Sequence, residues 1–91
     1  MTSLLISERA KCFKVLSHPV RLTILSELSK KALNVNGLSQ HLKKRQSNVS
    51  QHLQVLRENG FVLAEKEGKR RIYSLNPEYK TLVIYLMKFR L

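Results

Sequence analysis

Apolar residues along the chain recur at helical spacing in four successive stretches, then switch to an alternating pattern, then return to helical spacing at the end. From Ser3 to Leu16 the repeat is Ile6, Ala10 and Phe13, with Leu5, Cys12 and Leu16 widening the face. Ser17-His18-Pro19 interrupts it, because Pro19 disfavours a helical His18 while suiting the first position of a new helix. Leu22, Ile24, Leu25 and Leu28 carry that second helix to about Lys30. Asn34 is a good N-cap for a short third helix, with Val35, Leu38 and Leu42 on its apolar side, running to about Lys43. A fourth helix is predicted over 46–59, where Val49, Leu53 and Leu56 form one narrow stripe and Asn59-Gly60 closes the end. Only a few residues separate the third and fourth helices, which is the helix-turn-helix arrangement.

Past Gly60 the period becomes two. Phe61 and Leu63 fall on one side of a first strand, Tyr73 and Leu75 on one side of a second, and Glu67-Gly68-Lys69 lies between them as a turn. The hairpin over 61–75 carries Lys66, Lys69, Arg70 and Arg71 near its tip, as a wing would. Asn76 and Pro77 then open a last helix with a broad apolar face of Tyr79, Leu82, Val83, Leu86 and Met87. The predicted fold is mainly α with a small β-hairpin: a winged helix-turn-helix of four helices, hairpin and fifth helix, filling 1–91 as one domain. The last helix could fold back on its own domain, but the first helix is equally apolar and the core is small. Pairing with a second subunit through Phe13, Tyr79, Leu82, Val83 and Leu86 is therefore expected.

Charge adds a partner to this picture. Seventeen Lys and Arg stand against six Glu, with no Asp, for a net charge of +11. Such a balance seeks a polyanion, most simply nucleic acid. An anionic membrane surface would require the charge on one amphipathic helix, which is not the pattern. No apolar run reaches the ~18 residues of a membrane span, and Met1–Ser7 is too short for a secretory signal, so a cytoplasmic location is expected.

The exposed side of the fourth helix sharpens the choice of polyanion. Gln46, Ser47, Asn48, Ser50, Gln51, His52 and Gln54 are uncharged hydrogen-bonding groups of the kind that read base edges in a major groove. Ordinary solvated faces mix Lys with Glu instead. Lys43, Lys44 and Arg45, just before the helix, would meet phosphates, and His52 suits a groove or phosphate contact. Lys69, Arg70 and Arg71 at the wing would reach flanking phosphates or the minor groove; alternatively they protect a strand edge from aggregation.

Other chemistry is poorly represented. The single Cys12 excludes an intramolecular disulfide framework and a zinc knuckle of paired cysteines. His18, His41 and His52 are metal-ligand types, but their spacing puts no two on one helical face, so no metal and no cofactor is expected. Cys12 is read as a packing residue, with a thiol sensor as the other possibility. Asn48-Val49-Ser50 matches a glycosylation pattern by chance.

Three stretches together resemble the arsenic-repressor (ArsR/SmtB) family of winged-helix repressors: VLSHPVRLTILSEL, LSQHLKKRQSNVSQHLQVLRENGFV and EGKRRIYSL. Pro19, Arg21 and Leu22, then Ser50, His52 and Leu53, then Leu56, Arg57 and Gly60 carry the more specific part of the pattern. The resemblance implies homodimers built on the first and last helices, binding inverted-repeat operators, usually as repressors. By position it assigns base reading to Gln46, Ser47, Asn48, Ser50 and Gln51. The chain departs from the family at Asn34-Val35-Asn36, where many members hold a metal-sensing Cys-x-Cys. Its last helix offers only Glu78, with no His or Asp, for the alternative metal site, and Arg45 stands where a Ser or Thr cap is common. The leading function is a sequence-specific regulator of double-stranded DNA. A non-specific DNA- or RNA-binding module is the alternative, weakened by the presence of only three Tyr and three Phe for base stacking. No nucleophile, base and orienting acid can be assembled into an enzyme.

Overall fold

The computed structural model describes residues 2–89. In chain order these form α1 (Ser3–Leu16), α2 (Pro19–Lys30), α3 (Val35–Leu42), α4 (Gln46–Glu58), β1 (Val62–Glu67), β2 (Arg70–Leu75) and α5 (Lys80–Lys88), the last entered through a 3-10 turn at Pro77–Tyr79. The winged helix-turn-helix and its element order are as predicted.

Local chemistry fixes most of the boundaries. The Asn34 side chain accepts from the Gly37 amide at 2.8 Å, capping α3. Asn76 accepts from the Glu78 amide at 3.1 Å and donates through Nδ2 to the Gly60 carbonyl at 2.8 Å, so one side chain caps the final helical segment and ties it to the end of α4. The start of α2 uses His18, whose Nδ1 accepts from the Val20 amide at 3.2 Å. At the end of α4, Gly60 has a φ of 79°. Gly60 then donates to the Arg57 carbonyl at 3.0 Å and Phe61 to that of Leu56 at 2.9 Å, the paired bonds of a Schellman closure.

That closure corrects the predicted strand register. Phe61 is buried, yet it belongs to the helix end and precedes β1; Val62 is the buried first residue of the strand and Leu63 faces out, 45% exposed. Tyr73 and Leu75 are buried on β2 as expected. The hairpin is antiparallel, with Val62 opposite Leu75 and Glu67 opposite Arg70, and its two-residue turn has Gly68 at a φ of 63°. One further bridge lies outside the hairpin. Leu33, between α2 and α3, exchanges both backbone bonds with Tyr73, at 3.0 and 2.8 Å.

The core gathers Leu16, Ile24, Leu25 and Leu28 with Leu38, the α4 stripe Val49, Leu53 and Leu56, then Phe61, Val62, Tyr73, Leu75 and Val83. Among the described residues no buried side chain is polar. Helices α2 and α3 and the first strand thus pack against α4 from behind, leaving its other side free. Among the described residues, no helix is long and apolar enough to cross a membrane.

Candidate nucleic-acid interface

The turn between α3 and α4 is tight because Lys43 adopts the left-handed conformation, φ 54° and ψ 43°. It is the single non-glycine residue with positive φ among those described. The Ser39 carbonyl accepts from the Lys44 amide at 3.2 Å, and the Ser39 hydroxyl donates to the Lys44 carbonyl. Lys43, Lys44 and Arg45 are all exposed here. Arg45 is the N-cap residue of α4 and makes no side-chain capping bond, in keeping with the expected loss of a Ser or Thr cap.

With Val49, Leu53 and Leu56 fully buried, the five expected base readers Gln46, Ser47, Asn48, Ser50 and Gln51 are all exposed on α4. Gln46 Nε2 donates to Asn36 Oδ1 on α3 at 3.1 Å. The exposed side extends further than the residue types alone indicate. A groove of about 570 Å³ runs between α4 and β2, lined by Ser50, Gln54, Arg57, Glu58, Arg71 and Tyr73. Arg57 and Arg71 thus stand on opposite walls of one cleft, a placement that depends on how the hairpin folds back.

The wing gathers four cations along one groove, although Glu67 stands opposite Arg70. Lys66 lies directly opposite Arg71 across the hairpin, and Lys66, Lys69, Arg70, Arg71 and Tyr73 line a second groove of about 340 Å³. Facing cations repel across a strand pair, a cost that an anion in the groove would offset. Edge protection alone would be served as well by isolated Lys residues.

His52 has a role that its position on the polar face did not suggest. Its Nδ1 accepts from Arg21 Nε at 3.2 Å, its ring lies 4.3 Å from that of His18, and Arg21 also donates to the Val15 carbonyl at 3.2 Å. The cluster fastens α4 to α2, and leaves only Nε2 of His52 for a phosphate. Burial, helped by the neighbouring His18 and by the Arg21 guanidinium, holds the His52 pKa below its ordinary value. Protons therefore bind the unfolded chain more readily than the folded one. Stability is full above about pH 6.5 and is lost as pH falls through the lower folded pKa. Glu27, kept below the usual carboxylate range chiefly by its 3.0 Å hydrogen bond with His41, adds a second loss at more acid pH. Melting followed from pH 7.5 down to 5.5 should show a falling midpoint, with a flatter profile in His52→Gln. An identical profile in the variant would assign the loss to other groups.

The predicted dimer residues do not all lie on one surface. Phe13 is 60% and Leu82 36% exposed, while Tyr79 and Leu86 are half-buried, with the Tyr79 ring tilted against that of Phe61, centroids 4.7 Å apart. Val83 is 1% exposed and belongs to the chain's own core, which removes it from the expected interface. The outward apolar side of α5 instead includes Ile84, Tyr85 and Met87. A groove of about 440 Å³ between α1 and the start of α5 is lined by Cys12, Phe13, Phe61, Tyr79 and Leu82 among others, with the Cys12 thiol free and half-buried.

Residues 18–63 match the family described as bacterial regulatory protein, arsR family. The chain is 45% identical over 73 residues to the transcriptional repressor PagR of Bacillus anthracis, covering 78% of this chain and 72% of PagR. The crystal structure of PagR superposes with a TM-score of 0.80 at 37% identity, over 93% of this chain and 99% of that one. Reduced HlyU from Vibrio cholerae gives 0.86 at 32% identity, covering 94% and 92%. The homodimeric winged helix-turn-helix DNA-binding domain of Mb0332 from Mycobacterium bovis gives 0.82 at 27%, covering 94% and 80%. Against several other curated relatives the chain spans about 60% of their length.

Proposed function

This chain belongs to the ArsR family of bacterial regulatory proteins, and from that premise we propose how it engages its operator as a DNA-binding repressor. The exposed, uncharged side of α4, bracketed by cations at the turn before it and on the wing behind it, is the observation that carries the proposal. In the major groove, Gln46, Asn48 and Gln51 can pair two-fold with adenine, and Ser47 and Ser50 can bond either strand's base edges. Lys43, Lys44 and Arg45, the remaining nitrogen of His52, and Lys69, Arg70 and Arg71 engage phosphates, setting register without reading sequence.

A homodimer formed through the apolar outer sides of α1 and α5 carries two copies of α4 related by a two-fold axis. Such a pair reads an inverted repeat with half-sites about 34–36 Å apart. Occupied at a promoter, the operator is denied to the transcription machinery, in the cytoplasm and without catalysis. The thiolate pair that many family members place at the start of α3 has no counterpart in the donor set here. Asn34 Oδ1 is engaged with the Gly37 amide and Asn36 Oδ1 with Gln46, and neutral amide oxygens are poor ligands for a soft metal. DNA binding is therefore proposed to be indifferent to metal ions.

A preferred operator recovered from random DNA by repeated rounds of binding provides the test. Gln46→Ala should lose about 1–3 kcal/mol on that operator and little on random DNA. Arg70→Gln should weaken both and make the salt dependence shallower by about one phosphate contact. Equal losses from Gln46→Ala on both DNAs would favour a non-specific binding module, and release of the operator by zinc would overturn the metal claim.

A further inference from the structure

We propose that Asn36 is a specificity-determining positioning residue, acting through Gln46 to favour adenine over guanine at one operator position. The inference rests on the base-reading role proposed for α4. Gln46 is the first residue of that helix, and its exposed side chain has several freely rotating bonds. An unanchored glutamine amide can turn either its oxygen or its nitrogen toward a base. Here Nε2 donates to Asn36 Oδ1 at 3.1 Å, across the turn between the two helices and ten residues away in sequence. Asn36 does not belong to the local cap of α3, because Asn34 makes the capping bond to the Gly37 amide. Its oxygen is free to serve the recognition helix.

The consequence follows from counting donors and acceptors. A glutamine amide has two N–H donors and one carbonyl acceptor. With one N–H held by Asn36, the side chain retains one donor and one acceptor. Adenine presents an acceptor at N7 and a donor at N6 in the major groove, and this pair matches the remaining set. Guanine presents two acceptors, N7 and O6, and a two-fold contact would require both N–H groups. The tether therefore removes the guanine option while ordering the side chain for the adenine one.

The experiment measures binding to the selected operator, to versions with each base substituted at every position, and to random DNA. It compares the native protein with Asn36→Ala, Asn36→Asp, Gln46→Ala and the Asn36→Ala/Gln46→Ala pair, each with a native melting profile. Asn36→Ala should reduce the base preference by up to about fivefold, the worth of a net hydrogen bond, and only at the position that Gln46→Ala flattens. Asn36→Asp keeps the acceptor oxygen, so it should retain the preference while its charge weakens operator and random DNA alike. The paired variant should be no less selective than Gln46→Ala alone. An unchanged profile in Asn36→Ala, equal loss on all DNAs, or effects that add in the pair would each overturn the inference. If Gln46→Ala alters the profile and Asn36→Ala does not, only the inference fails. If Gln46→Ala leaves every position unchanged, the base-reading role of Gln46 fails and the inference falls with it.

Discussion

Leu82→Glu is expected to convert the protein to a monomer and to lower operator affinity by about 10²–10⁴-fold, the advantage gained when a second binding event becomes intramolecular. Leu82 is 36% exposed in the single chain, so a carboxylate there stays in contact with water and the domain keeps its fold. Between two subunits that carboxylate would be desolvated without a partner, costing about 3–5 kcal/mol. Leu86 is a poorer choice of site, since it packs against the core and a charge there would damage the monomer as well. Sedimentation across a concentration series, paired with operator titration, checks both effects. A Leu82→Glu protein that sediments as the native one does would place the subunit contact elsewhere.

Leu53→Ala is expected to cost about 2–5 kcal/mol of folding stability, the range for emptying a fully buried leucine site. Leu53 has no exposed surface and lies at the centre of the α4 stripe, where the facing helices cannot all collapse inward. Against a total of about 5–15 kcal/mol for a domain, the loss would bring the chain close to unfolding at growth temperature. Leu63→Ala supplies the contrast. At 45% exposed its removal should change stability by no more than about 0.5 kcal/mol. Urea titration of the two variants should therefore give widely separated midpoints. Similar losses would mean that the outward register of β1 is wrong.

The contrast between those two leucines also marks where the sequence could be read. The stripe Val49, Leu53 and Leu56 was legible because helical spacing and burial coincide along α4. Asn34 and Asn76 were legible as caps because their chemistry is local. Leu63 was misread because alternation was counted from Phe61, a residue whose burial comes from the Schellman closure of α4. Val83 was misplaced for a different reason: α5 is apolar on more than one side, and spacing alone does not say which side meets its own domain. His18 as a cap, the fastening of His52 to Arg21, and the bond from Gln46 to Asn36 depend on chain segments brought together by the turns. Neither hydropathy nor spacing carries a signal for them. The placement of Arg57 beside Arg71 is of the same kind.

The reciprocal backbone bonds between Leu33 and Tyr73 should divide the wing into two parts with different hydrogen-exchange behaviour. Tyr73 is paired on one side with Ala64 and on the other with Leu33, in a segment buried against the core. Its amide can meet solvent deuterium only when the α2–α3 connection also lets go, so it should exchange with the slow, cooperative opening of the helices. The amides near Gly68 and Lys69 have only the narrow hairpin around them and should exchange by local opening. The wing is thus expected to hinge beyond Tyr73 and not at its base. In the proposed complex its basic tip would follow variations in groove width while the angle between the wing root and α4 stayed fixed.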